Sequence, residues 1–268
     1  MGTLWHDEFL RTALLGSLVV GGVCAYLGVY VVLRRIVFVG AALAQASSAG
    51  VGLALLTGRD PSLASLLVTM GGVAALSVRS RNRRTTQESL IGVGYAVASA
   101  LAVLFVAKSA QGEGHMLDVL SGNVLTVTPA QVWAMALAAV GALLLHTLFH
   151  KQFLFSAFDP DTAGASGMKV VWWDLLFFLI LGVIVSLAIR LAGALLVFAF
   201  LVIPAVIGLL LSQRLKRIYA IAIGAAAIAT AAGLYLSVRM DLPTGPAIVA
   251  VLFVLLGLAW PLGRLAKT

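Results

Sequence analysis

The sequence predicts an all-α membrane protein, a polytopic bundle of about eight or nine transmembrane helices forming one domain over residues 1–268. Three observations carry that expectation. Hydrophobic residues make up 62% of the chain and charged residues 10%, with a mean hydropathy of +1.09, whereas a soluble domain carries roughly 25% charged residues. Apolar runs of about 18 residues or more, long enough to cross a hydrocarbon layer about 30 Å thick as helices, recur along the whole chain. Lys and Arg gather on alternate connecting loops, as in a chain threaded back and forth through a bilayer.

The spans follow in order. Ala13 to Leu33 is closed by the pair Arg34-Arg35, and Ile36 to Leu56 begins directly after it. Leu63 to Val78 ends at the cluster Arg79, Arg81, Arg83 and Arg84, and Leu90 to Ala107 follows. Val132 to Phe149 stops at Lys151, and Val170 to Ile189 starts after Lys169. Leu191 to Leu211 carries Pro204; Ile218 to Val238 and Ala247 to Leu262 flank a turn with two prolines and a glycine, Pro243, Gly245 and Pro246. Several spans are crowded, so eight and nine crossings both fit.

The net charge of +8 does not point to nucleic acid, because of where the cations sit. Arg34, Arg35, the four arginines from 79 to 84, Lys151, Lys169, Arg214, Lys216, Arg217, Arg264 and Lys267 are 13 of the 18 Lys and Arg. The opposite loops hold only Arg11, Arg59, Lys108, Arg190 and Arg239. The basic set belongs on the cytoplasmic side, which places the N-terminus outside and the C-terminus in the cytoplasm.

Ala42-Leu43-Ala44 and Ala44-Gln45-Ala46 imitate leader cleavage sites. A leader needs a basic segment before its apolar stretch, whereas His6, Asp7 and Glu8 stand there, so the first segment is expected to stay as a span. Cys24 is the one cysteine, which excludes a disulfide framework and a cysteine metal cluster. No G-x-x-x-x-G-K-[ST] loop is present; energy for active transport would come from an ion gradient or another subunit. Gly21-Gly22, Gly71-Gly72, Gly92-Val93-Gly94 and Gly224-Ala225-Ala226-Ala227 supply the small residues that let helices approach in lipid.

Polar loops carry more specific signals. In Phe158-Asp159-Pro160-Asp161-Thr162-Ala163-Gly164-Ala165-Ser166-Gly167, Asp159 suits an N-cap, Pro160 the first helical position and Asp161 the positive end of the helix dipole. Gly164 or Gly167 can end the turn. A short helix between two spans is expected, on the basic side, within a segment of about 156–168. Pro204, deep in apolar sequence, removes a backbone hydrogen bond and kinks its helix, either to line a pathway or simply to pack. Asp241, in Met240-Asp241-Leu242-Pro243-Thr244-Gly245, is the only acid in the last third of the chain.

These segments resemble the permease subunits of ATP-binding-cassette importers for zinc, manganese and iron or iron chelates. The likeness rests on Leu33-Arg34-Arg35, Leu120-Ser121-Gly122-Asn123-Val124-Leu125, Phe158-Asp159-Pro160-Asp161, Gly193-Ala194-Leu195-Leu196-Val197 with Ile203-Pro204-Ala205, and Met240 to Gly245, in order along the chain. The resemblance implies one permease domain in a bacterial inner (plasma) membrane, no enzymatic activity of its own, no covalently bound cofactor, and a metal ion or chelate as cargo. Its implied partners are a second permease copy, a cytoplasmic pair of ATP-binding subunits, an external substrate-binding protein and the lipid bilayer, with no nucleic acid. Phe158, Asp159, Pro160, Asp161, Ala163, Gly164 and Gly167 would then be the coupling segment.

One departure is concrete. The resemblance implies an Asp and a His in the pathway where this chain has Ala41 and Gln45. Alanine offers no ligand and an amide oxygen is a weak, hard one. Positions 41 and 45 share one helix face, where Gln45 and Ser48 could contact a hydrated ion or a polar chelate, or Gln45 could bond a neighbouring helix. Ala41, Gln45, Ser48, Pro204 and Asp241 are therefore the pathway candidates. His146 with His150, and His115 with Asp118, are weaker metal candidates, the first pair set at an interface and the second on an outer loop. Asp174, after Trp172-Trp173, reads as an interfacial anchor. An ion-gradient-driven transporter or channel for a small polar substrate is the alternative, although the span interiors hold almost no charge for ion coupling.

Overall fold

A computed structural model describes residues 8–77, 86–109 and 128–265. Among them the chain forms helices and no strand: α1 (Glu8–Leu33), α2 (Val39–Thr57), α3 (Pro61–Ser77), α4 (Gln87–Ala107), α5 (Pro129–Leu148), α6 (His150–Phe158), α7 (Pro160–Ala165), α8 (Val170–Ala192), α9 (Ala194–Leu211), α10 (Leu215–Met240) and α11 (Thr244–Leu265). Eight of these are long and apolar enough to cross a bilayer, and α3, at 17 residues, is a shorter apolar helix. The arginines from 79 to 84 and the segment Leu120 to Leu125 lie outside the described residues.

Local chemistry sets the helix starts. Asp60 precedes Pro61 and its carboxylate accepts from the Ser62 and Leu63 N–H groups at 2.7 and 3.0 Å, and Thr86 caps α4 by accepting from Ser89 N–H at 3.2 Å. Thr128 and Gln131 exchange backbone-to-side-chain bonds at 3.0 and 3.4 Å at the start of α5, a reciprocal capping box. Gly58 closes α2 at φ +66°.

Two compact units result. One gathers the described residues within 1–32, 118–139 and 187–268. Its core joins α1 to α9, with Phe200 and Leu201 fully buried. Gly28 abuts the Leu201 backbone and Gly21 the Phe200 ring. The hairpins α9–α10 and α10–α11 close on a small cluster of Ile207, Ala225 and Ala259, and Gly233 sits against the Ile248 backbone. Tyr26, Tyr30 and Tyr219 cluster with ring centroids 4.9 to 5.9 Å apart, in edge-on and tilted arrangements. Gly193 breaks α8 from α9 at φ +80°, ψ 158°, a region only glycine adopts freely.

The other unit gathers the described residues within 33–117 and 140–186. On α3 the buried positions Ser65, Thr69, Val73 and Leu76 form one stripe, as a helix with 3.6 residues per turn requires. Ser65 lies against Gly50 of α2, and Val73 against Gly182 of α8. Ser65 also links three helices through its hydroxyl, 2.7 Å from Ser47 and 3.4 Å from Ser186. The opposite face exposes Leu63 and Leu67 at about 60%, and α4 likewise exposes Val93, Val97, Val103 and Leu104. Surfaces this apolar fit hydrocarbon, not water.

Some expected small-residue contacts form and others do not. Gly21, Gly72 and Gly94 touch neighbouring helices, while Gly22, Gly71, Gly92 and Gly224 have nothing within 4 Å of a built Cβ.

Candidate functional site

The chain enters α2 through a tight elbow. Arg35 adopts a left-handed conformation at φ +56°, and the Phe38 N–H donates to a Glu88 carboxylate oxygen at 3.1 Å. An anion is well placed at a helix N-terminus, where the dipole and free N–H groups attract it. Ala41, Gln45 and Ser48 then fall on one side of α2. Ala41 and Gln45 are half-buried, Ser48 is buried, and the Gln45 amide forms no hydrogen bond among the described residues. Ser48 donates to the Ala44 carbonyl at 3.1 Å, so its hydroxyl oxygen can still accept. This face thus offers one amide and one hydroxyl and no anionic ligand. Such groups can hydrogen-bond a hydrated ion or a chelate but are poor at stripping its coordination shell.

The second cluster is α7 and its flanks. Asp159 accepts from the Thr162 N–H at 3.0 Å and from the Thr162 hydroxyl at 2.6 Å. Those two bonds, the hydroxyl's first, hold the Asp159 carboxyl below its ordinary range. Pro160 is the first helical residue and Asp161 lies in the first turn. At the far end Met168 N–H reaches the Ala163 carbonyl and Gly167 N–H the Gly164 carbonyl, both at 3.1 Å, with Gly167 at φ +85°. That is a Schellman closure, so Gly167, and not Gly164, ends the turn. Phe158, Asp159, Asp161 and Gly164 are exposed, whereas Ala163 is fully buried and seats the turn.

The remaining candidates fall elsewhere. Pro204 and Asp241 belong to the unit containing α9 and α10. α9 stays one helix through Pro204, whose ring nitrogen cannot donate to the Phe200 carbonyl. Asp241 is exposed and left-handed at φ +52°, and its N–H closes α10 on the Ser237 carbonyl. His146, in the last turn of α5, is fully buried and stacks on Phe153 at 4.3 Å, with Phe177 edge-on at 6.0 Å, so its ring is packed within the protein. Phe149 separates it from the helix that begins at His150. Among the described residues no group of three or more His, Cys, Asp or Glu could hold a metal. His115 and Asp118 lie outside the described residues.

One cluster was not anticipated. Asp174 is not an interfacial anchor: it is buried and paired with Arg34 at 2.5 Å. Arg34 also donates to the Ser156 hydroxyl at 2.7 Å and lies 4.4 Å from the centre of the Phe177 ring. The signal available in sequence was an acid and an arginine pair, each at the end of an apolar span.

With this geometry in place, the chain can be set beside known proteins. Residues 6–260 match the ABC 3 transport family. The chain belongs to that family. As an ABC 3 protein it is 30% identical over 254 residues, 94% of this chain and 87% of the relative, to the manganese transport system membrane protein MntC of Halalkalibacterium halodurans. It is also 30% identical over 259 residues, 96% of this chain and 91% of the relative, to MntC of Listeria monocytogenes. A solved structure, PsaBC from Streptococcus pneumoniae in complex with Fab, superposes with a TM-score of 0.85 at 25% identity, covering 98% of this chain and 96% of that one. The membrane-helix architecture expected from sequence is therefore that of this ABC 3 family member.

Proposed function

We propose that this chain is the membrane-spanning permease subunit of an ATP-driven importer in a bacterial plasma membrane, carrying divalent manganese or a closely similar metal ion. The match over residues 6–260, with relatives named for manganese transport, supports the reading most strongly. The chain works as one permease domain and pairs with a second copy. It receives cargo from an external binding protein and is driven by two cytoplasmic ATP-binding subunits that dock on the segment around α7. The C-terminus and the basic loops face the cytoplasm.

The pathway face of α2 handles its cargo gently. Gln45 and Ser48 contact the ion through hydrogen bonds, so the ion moves with part of its water or chelate shell in place. Weak contact also favours release, because a permeating ion must bind weakly enough to leave.

Uptake of radioactive manganese by a bacterial strain lacking its own manganese importers, supplied with this chain and its neighbouring ATPase and binding protein, tests the proposal. Uptake that requires all three components, with the ATPase copurifying, is the expected result. Uptake by this chain alone would overturn it.

A further inference from the structure

We propose that Arg34, Asp174 and Ser156 form the joint through which movement of the α6–α7 segment reaches the start of α2, making these three side chains positioning residues for transport. The inference rests on the reading of α7 as the ATPase-facing turn.

The geometry converges on one guanidinium. Arg34 leaves the end of α1 and stands in the short elbow before α2. One of its two terminal nitrogens donates to Asp174 on α8, the other to Ser156 on α6, and its flat face covers Phe177. The planar fork of arginine fixes direction as well as distance. Ser156 lies in the last turn of α6, three residues before the Asp159 cap of α7. A push on α7 that tilts α6 must move the Ser156 hydroxyl, and with it Arg34. Glu88 holds the following Phe38 N–H, so the elbow delivers the movement to the first turn of α2, which carries Ala41 and precedes Gln45.

Stability alone gives little reason for this arrangement. The Arg34 and Asp174 side chains are 7% and 11% exposed, and a buried ion pair is often no more stabilising than apolar residues of similar size. A directional contact with two possible settings does explain it, since coupling requires an element whose equilibrium both ends bias. Room for a second setting exists. A cavity of about 80 Å³ adjoins the cluster, lined by the polar Ser77, Gln87, Ser156 and Asp174 and by the apolar Ile36, Ala157 and Phe178, so open space and further polar groups stand beside the guanidinium.

The test uses the full chain with its ATPase and binding protein in proteoliposomes, measuring manganese(II) uptake and phosphate release together. The readout is ions carried per ATP, a ratio that loss of folded protein leaves unchanged. R34M/D174L replaces the pair by apolar residues and should lower that ratio at least about fivefold, the low end of typical coupling. Ser156→Ala should lower it about twofold and Ser156→Thr, which keeps the hydroxyl, should restore it. Val73→Ala, a packing change in the same unit, should reduce yield and leave the ratio intact. An unchanged ratio in both R34M/D174L and Ser156→Ala would overturn the joint; if the double variant does not fold, Ser156→Ala decides. If Gly164→Pro leaves ATPase binding and the ratio intact, the reading of α7 fails and the joint falls with it.

Discussion

Gly28 faces the Leu201 carbonyl so closely that a Cβ added to it would collide with the carbonyl oxygen. The obstacle is backbone on a helix that cannot step aside locally, and side chains near it are fully buried: Leu27, Phe200 and Leu201. The smallest substitution therefore forces α1 and α9 apart.

Gly28→Ala should lose at least about 2 kcal/mol of stability through overpacking. Gly22→Ala, with nothing within 4 Å of its Cβ, should leave stability unchanged or raise it by up to about 1 kcal/mol. Thermal unfolding in detergent, followed by the fraction remaining monodisperse, compares the two. Equal behaviour would contradict the helix contact.

The α7 turn should be local in its effects. Gly167→Ala, at φ +85°, should cost about 1 kcal/mol, confined to the turn. Gly164→Pro, or reversal of charge at Asp161, should weaken ATPase binding or uncouple hydrolysis while the spans stay folded. The pH dependence has a definite sign. The folded Asp159 carboxyl titrates below its unfolded value, so its capping is present above about pH 4 and is lost as pH falls through the lower folded value. ATPase association measured from pH 8 downward should hold through pH 5 and weaken only below about 4. Weakening between pH 7 and 5 would point to another group.

The bundle was legible because lipid imposes a simple rule: each crossing must be a long apolar helix. The α7 cap was legible because Asp159, Pro160 and Asp161 act through neighbours in sequence. Long-range pairing was not. Nothing local links Arg34 to Asp174, 140 positions away, and nothing in the spacing of Gly28 distinguishes it from Gly22. Nothing local to His146 announced that its ring packs against Phe153 and Phe177. The α2 face was legible as a set, Ala41, Gln45 and Ser48, because helix geometry fixes it.

Topology can be read on an almost silent background. Cys24 is fully buried, so single cysteines report cleanly. One replacing exposed Leu242 should react with an impermeant reagent in intact cells, and one replacing exposed Lys216 only after permeabilisation. The opposite pattern would reverse the proposed orientation.

The α2 face should respond to restored ligands. A41D/Q45H should tighten binding of bare manganese or zinc by at least about tenfold, or about 1.4 kcal/mol, and slow release. Gln45→Ala should lower transport with little change in stability, because Gln45 makes no hydrogen bond among the described residues. Metal titration of the purified complexes checks both. Tight manganese binding in the unaltered pathway, untouched by Gln45→Ala, would place the ligands elsewhere.

The most direct test of the whole account is the source of energy. Proteoliposomes holding this chain and its ATPase are given manganese-loaded binding protein, and manganese uptake is followed with ATP inside or outside and with imposed proton or sodium gradients. Uptake is expected only when ATP reaches the ATPase side and binding protein is present on the other, with no response to the gradients. Uptake driven by an ion gradient in the absence of ATP would contradict it.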